Sequence, residues 1–179
     1  KEYRRQRQMC IRDRATPASA NDVLVAELVW ATTKSVVNAT MMTAAITFVG
    51  YLVNMQLVSF SGAIMMPIVA VPIGMMFAGM GLILTSHTPS IDWFNIPFFL
   101  LINPMFILAG TFFPLSEFPV VAQNIAYCLP LTHAALITRS LAYGDGLNGM
   151  FYSVAYILIL MQVVVFVGIT RCRTLNLIH

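Results

Sequence analysis

Residues 103–143 read NPMFILAGTFFPLSEFPVVAQNIAYCLPLTHAALITRSLAY. The stretch begins inside an apolar span, leaves it at Phe112-Phe113-Pro114, and meets no further long apolar run until Met150. Pro114, Pro119 and Pro130 punctuate it, and Glu117 and Arg139 charge it. The piece Leu131–Tyr143 is too short and too polar to cross a bilayer, yet too apolar for a solvated loop. A segment dipping into one membrane face satisfies both conditions, because irregular backbone survives at that depth only against protein or a wet cavity.

Outward from this stretch the chain is greasy: 59% of residues are hydrophobic, 9% are charged, and the mean hydropathy is +0.81. A soluble domain carries far more charge. The apolar runs are about twenty residues long rather than ten-residue alternating segments, so the class is an all-α polytopic membrane protein and not an outer-membrane barrel. Four spans are expected, at about 35–53, 63–86, 93–113 and 149–170.

The basic excess is concentrated at the start. Residues 4–14, RRQRQMCIRDR, read as the in-frame translation of a transposon-sequencing adapter. A native polybasic arm for anionic lipid is the weaker reading. Residues 1–14 are therefore expected to be foreign and 15–179 to be one transmembrane domain, with native sequence missing upstream. Setting 1–14 aside removes six of the ten basic and two of the seven acidic residues, leaving four against five. No basic surface for nucleic acid remains.

In the first expected span, Thr40, Thr43 and Thr47 share a helix face that should meet another helix or a wet path, with helix packing favoured. In the second, Pro67 and Pro72 should introduce a kink. Ala70, Gly74 and Ala78 make a small-residue ridge for close helix approach. The methionines there, Met65, Met66, Met75, Met76 and Met80, read as gap-filling core rather than copper ligands. The third span should break at Asn103-Pro104. The segment Ala15–Ala31 begins with a capping-box pattern at Ser19–Asp22 and carries an apolar side. It is expected to lie as an amphipathic helix at the membrane surface, either a plain lead-in or a docking element. Lys34, Arg171 and Arg173 fall on one side of alternating spans and Arg139 on the other, which puts the chain termini in the cytoplasm and the stretch 114–148 outside.

Several chemistries are absent. GxxxxGK[ST] does not occur, so any ATP-driven work needs another polypeptide. His87, His133 and His179 are scattered, and no HExxH or paired carboxylate exists. Asp22, Glu27, Asp92, Glu117 and Asp145 all lie outside the expected spans, which weighs against the alternative of an ion-coupled secondary carrier or a lipid-modifying membrane enzyme. Spacing puts His133 and Arg139 on different faces of the Leu131–Tyr143 helix, where His133 would cap that helix and Arg139 would snorkel to outer headgroups.

GTFFPLSEFP, then CLPLTH, then Arg139 resemble the C-terminal signature of ABC-2 type permeases, and among them the nodulation J-type export permeases. The segment ATPASANDVLVAELVWA resembles the cytoplasmic stretch before the third span of those proteins. The resemblance runs from Ala15 to about Arg173. It implies a six-span fold whose first two spans are absent here, and two permease copies, identical or closely paralogous, in the bacterial inner membrane. Thr16, Pro17, Ser19, Asp22 and Glu27 would couple to a separate ABC ATPase that holds ATP and Mg, with no cofactor in this chain. Phe113, Pro114, Glu117, Pro130, Thr132, His133 and Arg139 would form an outer gate or cap. The implied cargo is amphipathic: a lipo-oligosaccharide, a polysaccharide-lipid or a drug.

Overall fold

The long apolar runs fold into long rods. A computed structural model describes residues 20–55, 57–87, 91–112, 115–144 and 150–178, without the side chains of residues 20, 21, 87, 91–95, 97, 98 and 171–178. In chain order the helices are α1 (Ala20–Val53), α2 (Phe60–His87), α3 (Ile91–Leu108), a 3-10 turn (Leu115–Glu117), α4 (Val120–Tyr127), α5 (Pro130–Tyr143) and α6 (Met150–Ile178). No strand occurs among the described residues. Among the described residues, three helices are long and apolar enough to cross a membrane, over Asp22–Val53, Phe60–Ser86 and Met150–Thr170. α3 is the remaining expected span, and α4 and α5 form a pair bent by 88°. The chain is a helical multi-pass membrane protein.

The expected surface-lying helix before the first span is not separate. α1 is one continuous helix of 34 residues, roughly 50 Å long, so its first third extends the membrane rod instead of lying across it. No glycine or proline interrupts Asp22–Lys34. Thr32 and Thr33 turn their hydroxyls back to the carbonyls of Leu28 (2.7 Å) and Val29 (2.8 Å), which keeps the helical register through the junction. The third span also differs from expectation. α3 runs through Asn103-Pro104 without a break and ends at Leu108, where Gly110 takes φ 73. Proline lacks one N–H, but an otherwise apolar helix in lipid has no competing water and stays helical. α2 likewise continues through Pro67 and Pro72.

Two close crossings hold the rods together. A Cβ at Gly74 would sit 2.5 Å from Ser35 Cβ, so α1 and α2 meet there, and Ser35 donates to the Ala70 carbonyl at 3.2 Å. Ala70 and Gly74 of the small-residue ridge thus pack on α1. Ala78, half-buried, lies one turn further on, beside the second crossing. There Gly79 of α2 faces Gly168 of α6: a Cβ on Gly168 would lie 3.2 Å from the Gly79 carbonyl. Small residues permit this approach, and dispersion and polar bonds then stabilise the helix pairs in lipid.

α5 is wedged between α2 and α6. Its Ala134, Ile137 and Leu141 recur at helical spacing and bury against Met76 of α2 and Ile157 of α6. This cluster is the core of the described chain, and Met76 is its completely buried centre. Much of α1, by contrast, is exposed: Val29, Trp30, Met41, Met42, Phe48 and Leu52 all lie open. Lys34 sits 5.2 Å over the Trp30 ring, the pairing of cation and amphipathic aromatic that suits a membrane–water boundary.

Candidate functional site

The organising stretch forms an elbow. α4 ends at Tyr127, Cys128 and Leu129 turn the chain, and Pro130 starts α5 at a position where its missing N–H costs nothing. Such a bend strands backbone carbonyls, which need partners in a membrane protein. His133 supplies one. It is 1% exposed, and its Nε2 lies 2.9 Å from the Tyr127 carbonyl. A carbonyl only accepts, so Nε2 carries the proton and Nδ1 receives the Ser153 hydroxyl at 3.2 Å. The imidazole also lies on the Tyr156 ring, centroids 4.1 Å apart, and Tyr156 donates its hydroxyl to the Cys128 carbonyl at 2.7 Å. His133 therefore caps the preceding helix α4 and not, as its position in the first turn of α5 suggested, its own helix.

The far end of α5 is closed by Ser59. Its backbone N–H donates to the Ala142 carbonyl (2.9 Å) and its hydroxyl to the Leu141 carbonyl (2.8 Å). The same hydroxyl accepts the Gly62 N–H at 3.2 Å, the N-cap of α2. Gly144, at φ 73, returns its N–H to the Ser140 carbonyl and completes the C-cap. Gly62 has no alternative: a Cβ there would fall on the Leu141 carbonyl. These bonds bring the turn after α1 and the re-entrant pair to the same end of the molecule, as alternating spans require.

Arg139 lies on a different face of α5 from His133, as helical spacing predicts. The residue stays exposed, with one N–H of its guanidinium engaged. It donates to the Gly110 carbonyl just past the end of α3, where Met105 and Ala109 are buried. Thr132 is completely buried, and its Oγ1 is the one buried side-chain polar atom without a partner among the described residues. Pro130 is buried, whereas Glu117 is exposed in the 3-10 turn. Phe113 and Pro114 lie outside the described residues. The expected cap residues thus divide: Pro130, Thr132 and His133 are core, Arg139 joins α5 to α3, and Glu117 faces outward.

At the other end, Asp22 and Glu27 are exposed near the start of α1, while Leu28, the next residue along, is buried. Thr16, Pro17 and Ser19 lie outside the described residues, as does the stretch 1–14. The threonine face of α1 lines an open groove of about 520 Å³ with Phe48, Ala63 and Pro67. Thr40, Thr43 and Thr47 each bond the carbonyl four residues back, so the groove is walled by methyl groups more than by hydroxyls. Thr43 also touches the Met66 sulfur at 3.5 Å, the packing contact with α2 that the spacing favoured.

A family model described as ABC-2 type transporter matches residues 3–143. The chain belongs to the ABC-2 type transporter family. Its relatives include Nodulation protein J of Rhizobium leguminosarum bv. viciae, 32% identical over 130 residues, covering 73% of this chain and 48% of that protein. Nodulation protein J of Rhizobium meliloti (strain 1021) is 31% identical over 132 residues, 74% of this chain and 48% of the relative. That of Neorhizobium galegae is 26% identical over 129 residues, 72% and 47% respectively. The chain spans about half the length of the curated relatives it matches. No solved structure matches it.

Within the ABC-2 frame, Ser59, Ser153 and Tyr156 are the residues that sequence reasoning missed. Each had a signal. Ser59 precedes Phe60 and Gly62 as a helix N-cap serine would. Ser153 and Tyr156 are three apart at the start of α6, and with Tyr152 they make a polar-aromatic ridge on one helical face.

Proposed function

We infer that this chain is the membrane-spanning permease part of an ABC exporter that moves an amphipathic substrate outward. Two permease copies form the path, and a separate ATPase subunit with bound ATP and Mg drives it from the cytoplasmic side of a bacterial inner membrane. The cargo class is a lipid-linked oligosaccharide or polysaccharide, or a drug of similar amphipathicity. Phe113, Pro114 and Glu117, with the α4–α5 pair, cap the outward end, and Thr16, Pro17, Ser19, Asp22 and Glu27 receive the ATPase.

One observation carries the reading: α1 continues without a break from its acidic first turns into a membrane rod that crosses α2 at Gly74, and α2 in turn packs on the re-entrant pair. A push on the exposed carboxylates of Asp22 and Glu27 would travel along one stiff helix. A surface-lying helix would need a joint. Helices packed through backbone-close crossings transmit displacement instead of absorbing it.

The test is charge reversal of Asp22 and Glu27 together, followed by co-purification with a co-expressed ABC ATPase subunit. Loss of association, with the permease still inserted in the membrane, is the expected result. Unchanged association would remove the coupling role from this end of α1.

A further inference from the structure

We propose that Tyr156 and His133 form one latch that sets the bend of the α4–α5 elbow, with Tyr156 the positioning residue on α6. The two side chains hold two particular carbonyls. Were residues 120–143 a single helix, the carbonyls of Tyr127 and Cys128 would receive the N–H groups of Leu131 and Thr132, four residues on. At the elbow that pairing is lost, and the Thr132 N–H goes instead to the Leu129 carbonyl at 3.2 Å. The two carbonyls so released are the two that side chains take up: His133 Nε2 holds that of Tyr127, and the Tyr156 hydroxyl holds that of Cys128.

The two side chains act on each other as well. Their rings are 4.1 Å apart and tilted by 35°, so neither can swing without the other. Ser153, one turn before Tyr156, fixes the imidazole from its second nitrogen, and the Tyr152 ring meets its edge at 5.8 Å. The elbow is therefore tied to the first turns of α6. Bent and extended forms of residues 120–143 compete for the same pair of carbonyls, which makes the elbow a two-state element of the kind a gate requires. The consequence for export rests on the function proposed above. The latch itself is a property of this chain alone.

Hydrogen exchange read by mass spectrometry, on the full chain in lipid nanodiscs, tests it. Tyr156→Phe keeps the ring and removes only the donor. Exchange over residues 125–133 should quicken by between roughly two- and tenfold, the range expected for one hydrogen bond, with residues 60–87 unchanged. His133→Phe should act in the same region, and His133→Gln, which can return an N–H to the Tyr127 carbonyl, should move exchange back toward wild type. The double variant Tyr156→Phe with His133→Phe should exchange no faster than the faster single variant, because either loss opens the one latch. Unchanged exchange over 125–133 in Tyr156→Phe, equal quickening over 60–87, or effects that multiply in the double variant would each overturn the proposal. The readout involves no ATPase, so loss of the exporter reading would leave this result standing, and the reverse also holds.

Discussion

Ser59 is a single hydroxyl joining two helix ends 82 residues apart, and removing it gives a sharp test of how the re-entrant helix is held. In Ser59→Ala the backbone bond from residue 59 to the Ala142 carbonyl persists, so only the side-chain terms are lost. The first is the N-cap of α2, the Gly62 N–H at 3.2 Å, whose removal costs typically ~1 kcal/mol. The second is the donor to the Leu141 carbonyl at 2.8 Å, at a buried residue, where losing a partner costs roughly another 1 kcal/mol or more. The sum is about 2 kcal/mol, close to a thirtyfold change in the folding equilibrium. Unfolding in mixed micelles of rising SDS fraction, followed by far-ultraviolet circular dichroism, measures it. Ser61→Ala, at an exposed position one residue before Gly62, is the control and should stay within about 0.5 kcal/mol of wild type. If Ser59→Ala moved no further than Ser61→Ala, the double cap would have no energetic meaning and the account of how α5 docks on α2 would be wrong.

Three further outcomes follow from the same contacts. Thr132→Val removes a buried hydroxyl that has no partner and keeps the shape, so it should be neutral or stabilising by up to about 1 kcal/mol in the same micelle titration; a clear loss would reveal a partner for that oxygen. Gly79→Leu should weaken the α2–α6 crossing by roughly 1–3 kcal/mol, since Val164 and Val165 already stand 3.1 Å from a Cβ at that site, whereas Gly81→Ala, with nothing within 4 Å, should be tolerated; equal effects would contradict the crossing. Arg139→Gln should loosen α3 from α5 by about 1 kcal/mol, discounted for the exposure of the guanidinium, and should raise exchange at Gly110–Phe112 but not along α2.

Much of the architecture was legible because lipid leaves a chain few choices. Apolar runs of span length must become helices, and the expected span 63–86 and the described part of 149–170, from Met150 on, fall within α2 and α6. The small residues Ala70 and Gly74 marked a helix crossing before it was seen, because close approach in a membrane needs small side chains. Asn103-Pro104 misled, because proline is read as a breaker from its behaviour in water. The segment Ala15–Ala31 misled for a related reason: its amphipathic pattern suggested a helix lying on the surface, but nothing from Asp22 to Lys34 breaks the helix that runs on into the membrane. His133 was singled out correctly but for the wrong partner. A histidine in the first turn of a helix points at its own amides on paper, and only the 88° bend brings the carbonyl of Tyr127 to its ring.

The sequence by itself determined the membrane class, the all-helical make-up, the proline-punctuated stretch between Pro114 and Tyr143, and the ABC-2 resemblance. These follow from local quantities: hydropathy over twenty residues, proline placement and short motifs. The tertiary structure decided that α5, the second half of this stretch, packs in the core between α2 and α6, while α4 stays largely exposed. That result depends on Ser59, Ser153 and Tyr156, which are remote in sequence and ordinary in type. Their importance comes from backbone carbonyls freed elsewhere by a turn, and a carbonyl's need for a partner leaves no mark on the residue that will meet it.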